Sequence, residues 1–335
     1  MFAWPVSSKP VNKRHRTIHI GLLLGLLGGL LQASAAASES AVGWLQKAAE
    51  AARTLTYEGV FVYQHQGALE AMRIYHRADD SGVHERLFSL TGTAREIVRD
   101  NQKVMCILPD SRSVLVDRRS ANNPISQLVP RNVDLLAASY KLEVVGEGRV
   151  ADRPVIKIGI DPKDHYRFGY RLWIDRQSGL LLQADVFDGN GTAIEQLMFT
   201  ELRVPTSIPD DMLKPQMPTD GYTWYREQPL PAPTGAASKW KLGDLPPGFE
   251  LVAHELRRVP GRDGVVEHLL FSDGLANVSV YIEKGELGQA FRGHSAMGAV
   301  RAYGRLLDDH TQITVVGEVP AVTVERIGEG IAAAD

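Results

Sequence analysis

Along most of the chain the hydrophobic positions recur every second residue. In Leu55-Thr56-Tyr57-Glu58-Gly59-Val60-Phe61-Val62-Tyr63, residues Leu55, Tyr57, Phe61 and Tyr63 fall on one side of an extended backbone, because successive strand side chains point to opposite faces. The same period predicts strands over 69–76, 83–90, 94–99, 103–108 and 112–117. Their breaks are Gln66-Gly67, Asp80-Ser81-Gly82, Thr91-Gly92, Asp100-Asn101 and Pro109-Asp110, all of them good turn chemistry. Strands resume at 142–145, 155–160, 170–174, 180–187 and 195–202, with hairpin loops at 175–179 and 188–191. Sequential strands joined by short turns imply an antiparallel meander, curled enough to bury one face.

The period changes in two places before residue 200. Val42, Leu45, Ala49 and Ala52 recur at helical spacing, and so do Ile125, Leu128, Val129, Leu135, Leu136 and Ala138 within 124–140. These helices are expected to cover the open side of the sheet. Residues 228–238 are rich in Pro and small side chains, a composition that stays extended and marks a domain boundary. Beyond Trp240, strands are predicted over 249–259 and 265–272, then a two-residue hairpin at Asp273-Gly274 and a returning strand over 275–283. Further strands at 300–307 and 312–316 lead to a last helix, with Pro320 in its first turn and Val324, Ile327 and Ile331 on one face. The expected fold is α+β and mostly antiparallel β. It divides into a large domain at 38–226, a linker at 227–239 and a small α+β domain at 240–332.

The N-terminal stretch follows neither period. Lys13, Arg14 and Arg16 precede an apolar run over 18–31, and Gln32-Ala33-Ser34-Ala35-Ala36-Ala37 supplies small residues for cleavage. That order predicts a secretory signal over 1–35, cut after Ala35 or Ala37. The run is shorter than the roughly 20 residues a membrane span needs. Losing the four cations before the cut, Lys9 included, takes the formal charge from −3 to −7. A mildly acidic body without a basic run argues against nucleic acid and against docking on anionic lipid surfaces. Cys106 is alone, which excludes an internal disulfide, and it sits in an apolar strand that reads as core.

Catalytic constellations reduce to near misses. Gly293-His294-Ser295-Ala296-Met297-Gly298 approaches a nucleophile elbow, but the second Gly comes one position late, and the segment reads as a Gly-rich loop. His84-Glu85 and His254-Glu255 open like a zinc-protease motif, yet neither has the second His. No metal or cofactor is expected, and the chain reads as an exported binding protein without catalytic residues.

Four segments carry a resemblance. Residues 272–283, from Ser272-Asp273-Gly274 to Tyr281-Ile282-Glu283, and Ile313-Thr314-Val315-Val316-Gly317-Glu318-Val319-Pro320 resemble the C-terminal motifs of the MucB/RseB family. Tyr57-Glu58-Gly59-Val60-Phe61-Val62-Tyr63 resembles its first strand. Arg171-Leu172-Trp173-Ile174-Asp175 with Gly179-Leu180-Leu181 resembles a hairpin shared with LolA/LolB lipoprotein carriers. The resemblance implies a half-barrel with an apolar, lipid-sensing cavity. It also implies a periplasmic negative regulator that binds the periplasmic segment of an anti-sigma factor (RseA/MucA type) and shields it from regulated proteolysis. Phe61, Tyr63, Met72, Ile74, Leu87 and Trp173 are then the candidate lining for lipid or lipopolysaccharide. Edge backbone and apolar groups near Phe249 and Tyr281 are the candidate partner contacts. A lipid or lipoprotein carrier is the rival expectation, and homo-oligomerisation is left open.

Overall fold

The computed structural model describes residues 39–101, 103–117, 125, 128–130, 133–226, 228–229, 240–258, 265–285 and 290–334. The expected signal segment and most of the expected linker lie outside the described residues. So does much of the stretch 118–132.

Twelve strands form the larger sheet. They are β1 (Tyr57–His65), β2 (Ala68–Asp79), β3 (Gly82–Ser89), β4 (Glu96–Asp100), β5 (Lys103–Leu108), β6 (Ser113–Asp117), β7 (Tyr140–Val150), β8 (Arg153–Pro162), β9 (Gly169–Asp175), β10 (Leu181–Phe187), β11 (Ala193–Arg203) and β12 (Thr223–Arg226). Their order is β12-β6-β5-β4-β3-β2-β1-β11-β10-β9-β8-β7. Two antiparallel meanders are therefore zipped together where β1 pairs with β11. The exception to the antiparallel pattern is β12, which runs parallel to β6. Local periodicity gives no sign of β12, because Thr223–Arg226 is short and lies on an edge.

One face of this sheet is apolar and is covered by two helices, α1 (Ala41–Thr54) and α2 (Val133–Ser139). Ser40 caps α1, its hydroxyl accepting the Gly43 N–H at 3.1 Å. Ala41, Trp44, Leu45, Ala48 and Ala51 then recur at three- and four-residue steps and are buried. The helix ends at Leu55, whose backbone turns extended. Beneath it lie Phe61, Ile74, Leu136, Ile158, Leu172 and Ile174, each fully buried.

The second sheet has seven strands in the order β13-β15-β16-β17-β20-β19-β18. These are β13 (Gln228–Pro229), β15 (Glu250–Arg258), β16 (Val266–Ser272), β17 (Asn277–Lys284), β18 (Gly293–Met297), β19 (Val300–Asp308) and β20 (Thr311–Gly317). A small pair, β14 (Trp240–Leu242) with β21 (Ile331–Ala333), flanks α3 (Ala321–Glu329). Val324 and Ile327 of α3 pack with Phe271, Val280 and Val315 in a second core. Two details differ from the sequence expectation. The β16–β17 connection is a four-residue loop and not a two-residue turn, because the Asp273 carboxylate folds back on Leu275 N–H and Ala276 N–H. The segment around Ser295 is an edge strand, paired with β19, and not a loop. Within the expected linker, Gln228 and Pro229 pair with β15. Among the described residues no helix is long and apolar enough to cross a membrane.

Candidate functional site

The lining candidates separate into two groups. Phe61 faces Met72 across the β1–β2 ladder, and Ile74 faces Leu87 across β2–β3. All four are at most 2% exposed and belong to the large core. Tyr63 lies on the same face, half-buried at its margin. Trp173 alternates with the inward-pointing Leu172 and Ile174, yet it is half-buried and packs against the margin of the same core, with the Lys157 ammonium 4.6 Å from its ring centre. The partner candidates separate too. Phe249 is buried in the second core, with the Arg167 guanidinium 5.0 Å from its ring centre. Tyr281 is half-buried on the opposite face of β17 from Val280 and Ile282, stacked at 4.7 Å on His268. Burial, then the Arg257 charge, push the His268 imidazole down to about 4, so it is neutral near pH 7.

The two sheets meet along a polar seam that no sequence period marks. Arg167, in the connection between β8 and β9, is a fully buried cation. Its Nε donates to Oδ2 of Asp273, in the β16–β17 loop, at 2.6 Å, and it also donates to Asp164 and to the Pro247 carbonyl. Tyr140, at the start of β7, donates its hydroxyl to the same Asp273 oxygen at 2.9 Å. The other Asp273 oxygen accepts from the backbone of Leu275 and Ala276 at 3.0 and 2.8 Å. Every acceptor position of this carboxylate is thereby used. Burial works against the Arg167 charge, but hydrogen bonding to Asp273, its charge and Asp164 more than offset it and raise the guanidinium above its ordinary value. Burial and the Tyr170 and Asp273 oxygens push the Tyr140 hydroxyl well up. Gly248, at φ +81°, lets the 245–249 segment approach, since a Cβ there would crowd Ser139 and Arg167.

A second crossing lies at the β18–β19 turn. Glu195 of β11 is buried; it accepts the Ala299 N–H at 2.7 Å and the Tyr63 hydroxyl at 2.8 Å. Gly298, at φ +61°, leaves room for that carboxylate, with which any Cβ would collide. Further along, the Thr323 hydroxyl of α3 donates to the Tyr166 carbonyl at 2.8 Å, and Arg326 donates to the Tyr166 hydroxyl at 2.8 Å. Between these crossings is a cavity of about 200 Å³, lined by Leu128, Tyr170, Leu275, Ala276, Asn277, Val300, Val316, Gly317 and Glu318. Burial, then the Glu195 charge, push the Glu318 carboxyl up to about 7.

This arrangement joins the two sheets. Ser295 lies exposed on the edge strand opposite Ala302. Among the described residues no group of three or more His, Cys, Asp or Glu side chains could hold a metal ion. The seam residues were not singled out from the sequence. Arg167 and Glu195 sit in segments read as plain connection and strand, Tyr140 closes the stretch read as helix, and Asp273 was visible as a turn former only.

Two family models match the chain. The MucB/RseB N-terminal domain matches residues 40–217, and the MucB/RseB C-terminal domain matches residues 234–332. The sigma factor AlgU regulatory protein MucB of Pseudomonas aeruginosa is 34% identical over 313 residues, covering 92% of this chain and 96% of its own length. The sigma-E factor regulatory protein RseB of Escherichia coli K12 is 27% identical over 308 residues, covering 90% and 93%. Among solved structures, MucB in the Pseudomonas aeruginosa MucA/MucB complex superposes with a TM-score of 0.68 at 31% identity, covering 88% of this chain and 99% of that one. A crystal structure of MucB gives 0.64 at 30% identity, covering 88% and 98%.

Proposed function

The chain belongs to the MucB/RseB family, and on that premise we propose that it is a negative regulator of an envelope-stress sigma factor. It acts by holding the periplasmic segment of the membrane anti-sigma factor and keeping that segment from regulated proteolysis. The observation that carries this reading is the superposition, over nearly the whole of both chains, on a MucB solved with MucA. Relatives in the family are named as sigma factor regulatory proteins.

Several finer features belong to the same proposal. The larger sheet is a half-barrel whose apolar face, with Phe61, Met72, Ile74 and Leu87 under α1 and α2, opens to admit an acyl chain of lipid or lipopolysaccharide. In the closed arrangement those residues are core, so lipid entry requires the covering helices to move. The linked states make the effect reciprocal: a lipid that favours the open arrangement lowers partner affinity by the same factor by which the partner lowers lipid affinity. Residues 38–226 and 240–332 are the two domains, joined through 227–239. The N-terminal 35 residues are the signal that places the protein in the periplasm. The edge backbone of β15 beside Leu251 and Val252, both exposed, is the place for an added partner strand near Phe249.

The test is titration of the purified chain from Ser38 onward against the periplasmic segment of the host's anti-sigma factor. Saturable binding that weakens on adding lipopolysaccharide is the expected result. No binding, with acyl-chain uptake intact, moves the function to lipid or lipoprotein carriage.

A further inference from the structure

Glu318 follows β20 and lines the cavity between the two sheets, and nothing among the described residues neutralises it. Glu318 is half-buried, and among the described residues no hydrogen bond or ion pair reaches its carboxylate, whereas the buried Glu195, Asp273 and Arg167 in the same seam are all paired. The walls around it are mostly apolar, with Leu128, Leu275, Ala276, Val300 and the ring of buried Tyr170, and the polar Asn277 gives its amide N–H to the Leu275 carbonyl. An ionised carboxylate in such surroundings is costly unless a counter-charge arrives. The groups that face it add none. Glu195 on β11 is another acid, and Tyr63 on β1 and Tyr170 on β9 are phenols whose hydroxyls burial pushes upward. The Arg167 guanidinium is held by Asp273, and Arg301 on β19 is turned to the carbonyls of Gly298 and Val300.

We infer that this cavity is a socket for one basic side chain of the anti-sigma segment, its methylenes lying against Leu275, Ala276 and Val300 and its charge meeting Glu318. The inference rests on the binding function proposed above and names the contact by which it is made. Lys and Arg are the side chains suited to it, because both carry an apolar stem beneath a charged head. A fatty acyl chain fits the walls but leaves the carboxylate unmet. The empty socket favours the protonated acid, and the filled one favours the carboxylate. Partner binding therefore releases a proton and strengthens as pH rises through about 7.

The experiment measures affinity of the mature chain for the recombinant periplasmic segment between about pH 6 and about pH 8, in wild type and in Glu318→Gln. The expected result is wild-type affinity that rises with pH, and a variant that binds at least about tenfold more weakly at the upper end with a flat pH profile. Each Lys and Arg of the segment is then changed to Gln in turn. One of these changes should lose the same factor against wild type and nothing further against Glu318→Gln. Wild-type affinity in Glu318→Gln, or losses that add for every basic residue of the segment, would overturn the socket while leaving the binding function standing. Absence of saturable binding by the wild-type chain would overturn both.

Discussion

Replacing Asp273 by Asn separates charge from shape at the seam. One carboxylate oxygen takes the Arg167 Nε and the Tyr140 hydroxyl, at 2.6 and 2.9 Å, and the other takes two backbone N–H groups. An amide has one oxygen and one NH₂ group, so whichever way it is turned a donor faces donors. Arg167 and Asp273 are both 0% exposed at the side chain, and breaking such a buried pair costs about 3–5 kcal/mol. Arg167 keeps Asp164 and the Pro247 carbonyl, which places the loss near the lower end, about 3 kcal/mol. That is a large share of the roughly 5–15 kcal/mol that stabilises a typical protein. Urea unfolding followed by tryptophan fluorescence measures it. The double variant Arg167→Met/Asp273→Asn removes the stranded cation as well, so it should be more stable than Asp273→Asn alone. A single variant within about 1 kcal/mol of wild type, or a double variant whose loss is the sum of the two single losses, would refute the reasoning.

Three other outcomes follow from the same geometry. The raised Glu318 carboxyl holds its proton more tightly in the folded chain than in the unfolded one. Its contribution is therefore fully present below about 4.5 and is lost as pH rises through about 7; thermal melting of the unliganded chain should fall across that window, and less so in Glu318→Gln. Gly298→Ala puts a Cβ at φ +61° against the Glu195 carboxylate; it should cost about 1–3 kcal/mol and speed proteolytic nicking near the β18–β19 turn. Leu45→Ala empties a fully buried position under α1 and should cost about 2–5 kcal/mol in urea unfolding.

The alternation of residues 55–63 and the turn formers between strands were enough to place β1 to β5 and β7 to β11, because each is a local hairpin partner of the next. Local signals failed where an element is defined by a distant neighbour. The pairing of β12 depends on β6. β18 was missed for a different reason: it forms a local hairpin with β19, but its residues Gly293–Met297 are mostly exposed and carry no apolar alternation. Trp173 alternates with the inward pair Leu172 and Ile174 and packs at the margin of the core. Phe249 was read as a contact surface and is interior. The seam was the least legible part. Arg167 and Asp273 stand 106 positions apart in the chain; Arg167 sits in no motif, and the motif around Asp273 marks only a hairpin.

A chain that shields an anti-sigma factor must slow cleavage of the host's anti-sigma periplasmic segment by the first protease of its regulatory cascade, measured with and without an equimolar amount of the chain from Ser38 onward. Cleavage is expected to slow in proportion to the fraction of segment bound and to recover when lipopolysaccharide is added. An unchanged cleavage rate with the segment fully bound would rule out shielding.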